Sequence, residues 1–197
     1  MGESDEDLVL RNEYATHLGG PDGYYQEFGN QYRNPHEDGV AAMVARMPTM
    51  VPDLDLQHAT VLDLACGSGE VTIGLLAHGL LIDQITACDP YTGEAFAARM
   101  GRSCEPWSFA DIANGALDGQ RFDLIVSAYA LHLCEPSWLP SVCMALAQVS
   151  DRLVIITPHK RPELQSTWGW ALHEEYRDPA YRIRMRAYES GSIFVGR

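Results

Sequence analysis

Apolar residues fall along this chain in two kinds of block. Phe122-Asp-Leu-Ile-Val126 and Leu153-Val-Ile-Ile156 are near-continuous apolar runs of strand length, as strands covered on both faces require. Elsewhere the spacing is helical. Val40, Met43, Val44 and Met47 stand at i, i+3, i+4 and i+7, and Pro48 is expected to end that run. Asn34-Pro-His-Glu37 supplies its start: Asn34 as N-cap, Pro35 at the first position, Glu37 closing a capping box. The patterns predict strands at 60–65, 84–88, about 105–109, 121–128 and 152–157. They predict helices at 70–79, 92–100, 137–149 and 164–177. Alternation of this kind means an α/β, doubly wound, mostly parallel sheet with right-handed crossovers and helices on both faces.

The two ends read differently. Residues 18–33, rich in Gly and Tyr, read as a loop before the first core helix. Arg182, Arg184 and Arg186 alternate with Ile183, Met185 and Ala187, the period of a half-exposed strand. Ser190-Gly191-Ser192 could turn that strand into a short last one, Ile193 to Val195. The expected organisation is an N-terminal helical or lid segment, 1–50, on a core spanning 51–197, together one domain.

Composition narrows the partners. Of 197 residues 46% are apolar and 21% charged, the balance of a globular chain. No apolar run reaches the length of about 18 residues that a membrane span needs, and the acidic start lacks a signal-peptide pattern. Five cysteines without a CxxC pair suit buried thiols in a reducing compartment, so a cytoplasmic location is expected. The net charge of −13 disfavours nucleic acid, because phosphate contacts rest on Lys and Arg. The excess of acid lies before residue 152. The last 46 residues carry 8 basic and 5 acidic side chains, which leaves room for a local basic patch. The oligomeric expectation is a monomer or a homodimer.

Thr60-Val-Leu-Asp-Leu-Ala-Cys-Gly-Ser-Gly-Glu-Val-Thr72 holds the densest chemistry. A buried strand turns through Gly67 and Gly69 into a helix, which lets a ligand approach the backbone and meet free N–H groups. A dinucleotide fingerprint wants Gly at position 72, where this chain has Thr72, and Gly at position 65, where it has Ala65. Asp63 inside the strand, Asp89 at the end of the second, Asp111 after the third and Ser127-Ala-Tyr129 at the fourth complete the series. Over residues 60–157 this resembles the class I S-adenosylmethionine-dependent methyltransferases, in a small, single-domain, Rossmann-like form.

The resemblance implies a seven-stranded, mostly parallel sheet ending in a short antiparallel hairpin, with S-adenosyl-L-methionine as cofactor. It places the glycine turn from Asp63 through Ala65, Gly67 and Gly69 against the methionine part and ribose. Asp89, followed by Pro90, would accept both ribose hydroxyls. Asp111 would receive the adenine amino group while Ile112 packs on the ring; the alternative is that Asp111 caps a helix. Ser127, Ala128 and Tyr129 would lie beside the sulfonium. Arg33 could hold the cofactor's carboxylate, with Tyr25 and Tyr32 lining its methyl end; the alternative is a surface loop packed by its own aromatics.

Two histidines are candidates for an acceptor's base. His159 lies in Thr157-Pro-His-Lys-Arg-Pro162 beyond the fifth strand, and His36 lies at the start of the first core helix. His132 reads as a packed, hydrogen-bonded residue. The chain has no Asp/Asn-Pro-Pro-Tyr/Phe run, no Pro-Cys nucleophile, no HExxH and no Cys/His cluster, so amino methylation of nucleobases, cytosine C5 chemistry and a metal site are not expected. The function expected is methyl transfer to a small-molecule acceptor. A non-catalytic cofactor-binding module serving a partner protein is the alternative. A nicotinamide-dependent oxidoreductase is a third reading, which Thr72 opposes.

Overall fold

The computed structural model describes residues 20–191. Six strands form one sheet: β1 (Val61–Leu64), β2 (Ile85–Cys88), β3 (Leu124–Ala128), β4 (Arg152–Thr157), β5 (Trp170–Asp178) and β6 (Ile183–Ser190). Their order is β2-β1-β3-β4-β6-β5, parallel through the first four and antiparallel for β6 and β5. The helices are α1 (Gly20–Phe28), α2 (Glu37–Met50), α3 (Glu70–Ala77), α4 (Gly93–Met100), α5 (Phe109–Ala113) and α6 (Leu139–Val149).

Alternation along the buried strands builds two cores. Val61, Leu124, Val126, Val154 and Ile156 meet the α2 stripe of Val40, Met43, Val44 and Met47, with Val71 and Leu75 of α3. Leu62, Leu64, Ile125, Leu153 and Ile155 turn to the opposite face, against Ile112 of α5 and Val142, Cys143, Leu146 and Val149 of α6. A strand buried on both sides has no polar face to show, which is why these segments read as runs.

Several expectations are corrected. The sheet has six strands among the described residues, because the segment expected as a strand at 105–109 pairs with the sheet only at Glu105, through a single bridge to Cys88. Ser108 then caps α5: its Oγ accepts from the Asp111 amide while the Asp111 carboxylate accepts from the Ser108 amide. The 164–177 segment is not a helix. Gly169 adopts φ +93°, Trp170 buries its ring and donates from Nε1 to the Cys143 carbonyl at 2.8 Å, and the chain pairs along β6 as β5. Tertiary pairing overrides local helical spacing here. The hairpin is therefore long, nine and eight residues, and β6 has β5 as its neighbour. The turn-and-strand expected at 193–195 lies outside the described residues.

At the N-terminal side, residues 20–28 form α1 and Gly29–Gln31 a short 3-10 turn where a loop was expected; residues 18 and 19 lie outside the described residues. Asn34 does not cap α2 directly. Its Oδ1 accepts from the His36 amide at 2.9 Å, a turn one step ahead of the helix, and α2 starts at Glu37. Pro48 lies inside the last turn of α2, which continues to Met50. The carbonyl that Pro48 leaves without its amide partner, Val44 O, is taken by His78 Nε2 at 3.1 Å.

Candidate functional site

A cavity of about 310 Å³ opens at the carboxyl ends of β1, β2 and β3, the edge where open α/β sheets bind ligands. β1 delivers Asp63. Its carboxylate is buried, and one oxygen accepts twice from Thr72: from the hydroxyl at 2.7 Å and from the amide at 3.1 Å. The other oxygen, Oδ1, has no hydrogen-bond partner. Burial pushes this carboxyl up to about 7, against the pull of the Thr72 donors and helped by Glu70 and Asp89 nearby. A buried acid with one open oxygen on a cavity wall is set up to accept from a ligand donor.

The turn after β1 holds Ala65 and Gly67 at positive φ, +55° and +56°. A Cβ at Gly67 would stand 2.9 Å from the Tyr32 ring, so the N-terminal segment closes directly onto the turn. Gly69, φ +97°, is the N-cap of α3 and packs under Met100 and Phe96, outside the cavity lining. The Asp89 carboxylate accepts from the amides of Gly67 (3.3 Å), Tyr91 (2.9 Å) and Thr92 (3.0 Å). The Thr92 hydroxyl donates to Gly67 O at 2.8 Å, so the first two strand ends are tied into one unit.

A second network fastens the N-terminal segment. The Glu70 carboxylate, nearly buried, accepts from Ser68 Oγ, from the Asn34 amide at 3.4 Å and from Arg99 at 3.3 Å. Arg99 also pairs with Glu37 of α2. Tyr25 meets Tyr32 edge to face at 5.5 Å between ring centres and stacks on Tyr91 at 6.2 Å.

Of the residues expected in the site, Tyr25, Tyr32, Asp63, Ala65, Gly67, Asp89, Pro90, Ala128 and Tyr129 line this cavity. Ser127 is fully buried beneath it. Arg33 is exposed and donates to Tyr32 O at 3.0 Å. Asp111 is exposed, its carboxyl held below the usual range by the Ser108 hydroxyl and amide, and Ile112 points into the α6-side core. The stretch that does reach the cavity there is Ser108 to Ala110, one step earlier.

His36 lies behind the wall, its ring stacked on Tyr129 at 5.0 Å and 12°. His159 is exposed on the loop after β4, its ring 4.3 Å from His132. Burial, with His159 adding to it, lowers His132 to about 4, and its Nδ1 has no hydrogen-bond partner. The buried Arg186 fixes the His159 loop by donating to the Lys160 and Pro162 carbonyls at 2.7 and 2.9 Å, while pairing with Glu175 at 2.6 Å. Sequence reasoning missed Glu70, Thr92, Trp107, Leu133 and Trp138; Ser108-x-x-Asp111 carried a capping-box signal that could have placed α5. All five cysteines are free thiols, and among the described residues no group of three or more His, Cys, Asp or Glu could hold a metal ion. No described helix is long and apolar enough to cross a membrane.

Residues 61–151 match the family model of a methyltransferase domain. An uncharacterized protein of Schizosaccharomyces pombe is 34% identical over 82% of this chain and 79% of its own length. The magnesium protoporphyrin IX methyltransferase of Synechocystis, solved with bound S-adenosylmethionine, superposes with a TM-score of 0.56 at 19% identity over 97% of this chain and all of that one. A structure described as a putative RNA methyltransferase of Pyrococcus horikoshii gives 0.60 at 14% identity, covering 94% of this chain and 97% of its own. Residues 61–151 thus carry a methyltransferase domain, and the chain has the fold of methyltransferases solved with bound S-adenosylmethionine.

Proposed function

We propose that the protein transfers the methyl group of S-adenosylmethionine to a small-molecule acceptor, in the cytoplasm. The observation that carries the cofactor's placement is the pair of carboxylates at successive strand ends, Asp63 with an open oxygen and Asp89 beside it, joined through the close-packed Gly67 turn. When bound, the cofactor supplies a methyl group made electrophilic by the sulfonium. Asp63 Oδ1 would take a donor of the aminoacyl end, and Asp89 the ribose hydroxyls. A carboxylate suits two hydroxyl donors at once, and charge-assisted bonds are the stronger kind. Pro90 and the Ser108–Ala110 stretch line the remaining wall and would cover the base.

The acceptor would enter between Tyr129 and the N-terminal aromatics. The chain's task there is positioning and exclusion of water. His36, stacked on Tyr129 at the start of α2, is our candidate for holding or removing a proton; His159, turned outward beside His132, is the weaker one. A small acceptor is favoured over nucleic acid by the charge of −13. The test is incubation with methyl-labelled S-adenosylmethionine and, in separate arms, a metabolite extract and total RNA. Label in small molecules supports the reading; label in RNA alone overturns it.

A further inference from the structure

We infer that the acceptor is a ring-bearing amine, not a carboxylate or a phosphate, an inference that rests on the cofactor placement proposed above. Once that placement is made, the remaining wall of the cavity consists chiefly of Tyr25, Tyr32, Tyr129, Leu133, Glu135 and Trp138. Four of these six carry aromatic rings and one carries a carboxylate. No described Lys or Arg lines any part of the cavity. Two arginines close to the lining are engaged: Arg33 donates to Tyr32 O, and Arg99 pairs with Glu37 and with Glu70.

An anionic acceptor would meet the carboxylates of Asp89 and Glu135 with no cation lining the cavity to offset them, since Arg99 is already paired with Glu70. A cation or a neutral amine meets no such cost, and aromatic faces attract a desolvated cation. Glu135 is exposed, next to the half-exposed Trp138 at the start of α6, so a ring can lie on Trp138 while an ammonium meets Glu135 on the way in. In the transfer the neutral amine is the nucleophile. Its lone pair forms the new C–N bond, the C–S pair returns to sulfur, and the proton released from nitrogen passes to His36, the base proposed above, and on to water.

Two probes with one ring and opposite charge test this: 2-phenylethylamine and phenylacetate, titrated by calorimetry into the protein saturated with S-adenosylhomocysteine. The amine should bind about tenfold or more tightly than the acid. Trp138→Ala should weaken the amine, and Glu135→Lys should reduce or reverse the preference. Equal or tighter binding of phenylacetate, or binding of neither probe, overturns the inference while leaving the cofactor site standing. Failure of S-adenosylhomocysteine itself to bind would instead bring down the cofactor placement, and the inference with it.

Discussion

Thr72 holds Asp63 by two hydrogen bonds to a single oxygen, the hydroxyl at 2.7 Å and the amide at 3.1 Å. The residue that breaks the dinucleotide fingerprint is thus the one that orients the buried acid. Thr72→Val keeps the shape and removes the hydroxyl donor. We expect it to cost about 1–3 kcal/mol in cofactor affinity or stability, because a buried carboxylate loses a partner. Thermal shift with and without S-adenosylhomocysteine separates the two effects.

Asp63 also makes stability depend on pH. Its carboxyl is raised from 3.8 to about 7 in the folded protein, so the folded state keeps a proton that the unfolded chain releases. The contribution is fully present below about pH 4 and is lost as pH rises towards 7, amounting to at most about 4 kcal/mol. The expected result for Asp63→Asn is a melting temperature that gains on the parent as pH rises from 4 to 7 and then holds its lead. A difference that is constant across this range would show that Asp63 is ionised throughout. The same variant should bind the cofactor poorly.

Asp89 caps the Tyr91 and Thr92 amides and steadies Gly67. Asp89→Ala should weaken S-adenosylhomocysteine by on the order of 2–4 kcal/mol, since two charge-assisted bonds go. Asp89→Asn keeps an acceptor oxygen and should fall between the two. Unchanged calorimetric affinity in both variants would remove Asp89 from the site.

The N-terminal segment is tied to the glycine turn through Asn34, Glu37, Arg99 and Glu70. Arg99→Met should loosen it, seen as faster amide exchange at residues 29–37 in the free protein. Adding S-adenosylhomocysteine should slow exchange over residues 20–36 in the parent, as expected of a segment that closes on the cofactor. Identical exchange with and without ligand would make the segment an ordinary part of the scaffold.

If His36 manages a proton, His36→Asn should keep cofactor affinity and lose roughly 10²–10⁴-fold in kcat, whereas His159→Asn should change little. The reverse result would move the chemistry to the loop that Arg186 holds. Parental rates in both variants would mean that positioning alone suffices.

Sequence periodicity carried the centre of the sheet well, because strands buried on both faces have no alternative but apolar runs: β1, β3 and β4, which begin at Val61, Leu124 and Arg152, stand on those runs. It failed where tertiary partners decide. Leu164–Arg177 has helical spacing, yet Gly169 at positive φ and the pairing of Glu175 with the buried Arg186 make a strand of it. The site was legible to the extent that it rests on backbone need: Gly67, Asp63 and Asp89 each follow from a turn or a strand end. Trp107 and Trp138 reach the cavity from loops with no period, so no local pattern marks them. Asp111 shows the limit of a motif: its cap on α5 takes the carboxylate that the motif assigns to a ligand.

Calorimetric titration of the parent protein with S-adenosylmethionine, S-adenosylhomocysteine and NAD measures the central claim most directly. The account predicts one site per chain for both sulfur compounds, in the low-micromolar range or somewhat weaker at about −7 to −8 kcal/mol, and no binding of NAD. Binding of NAD with no heat from S-adenosylmethionine would contradict it.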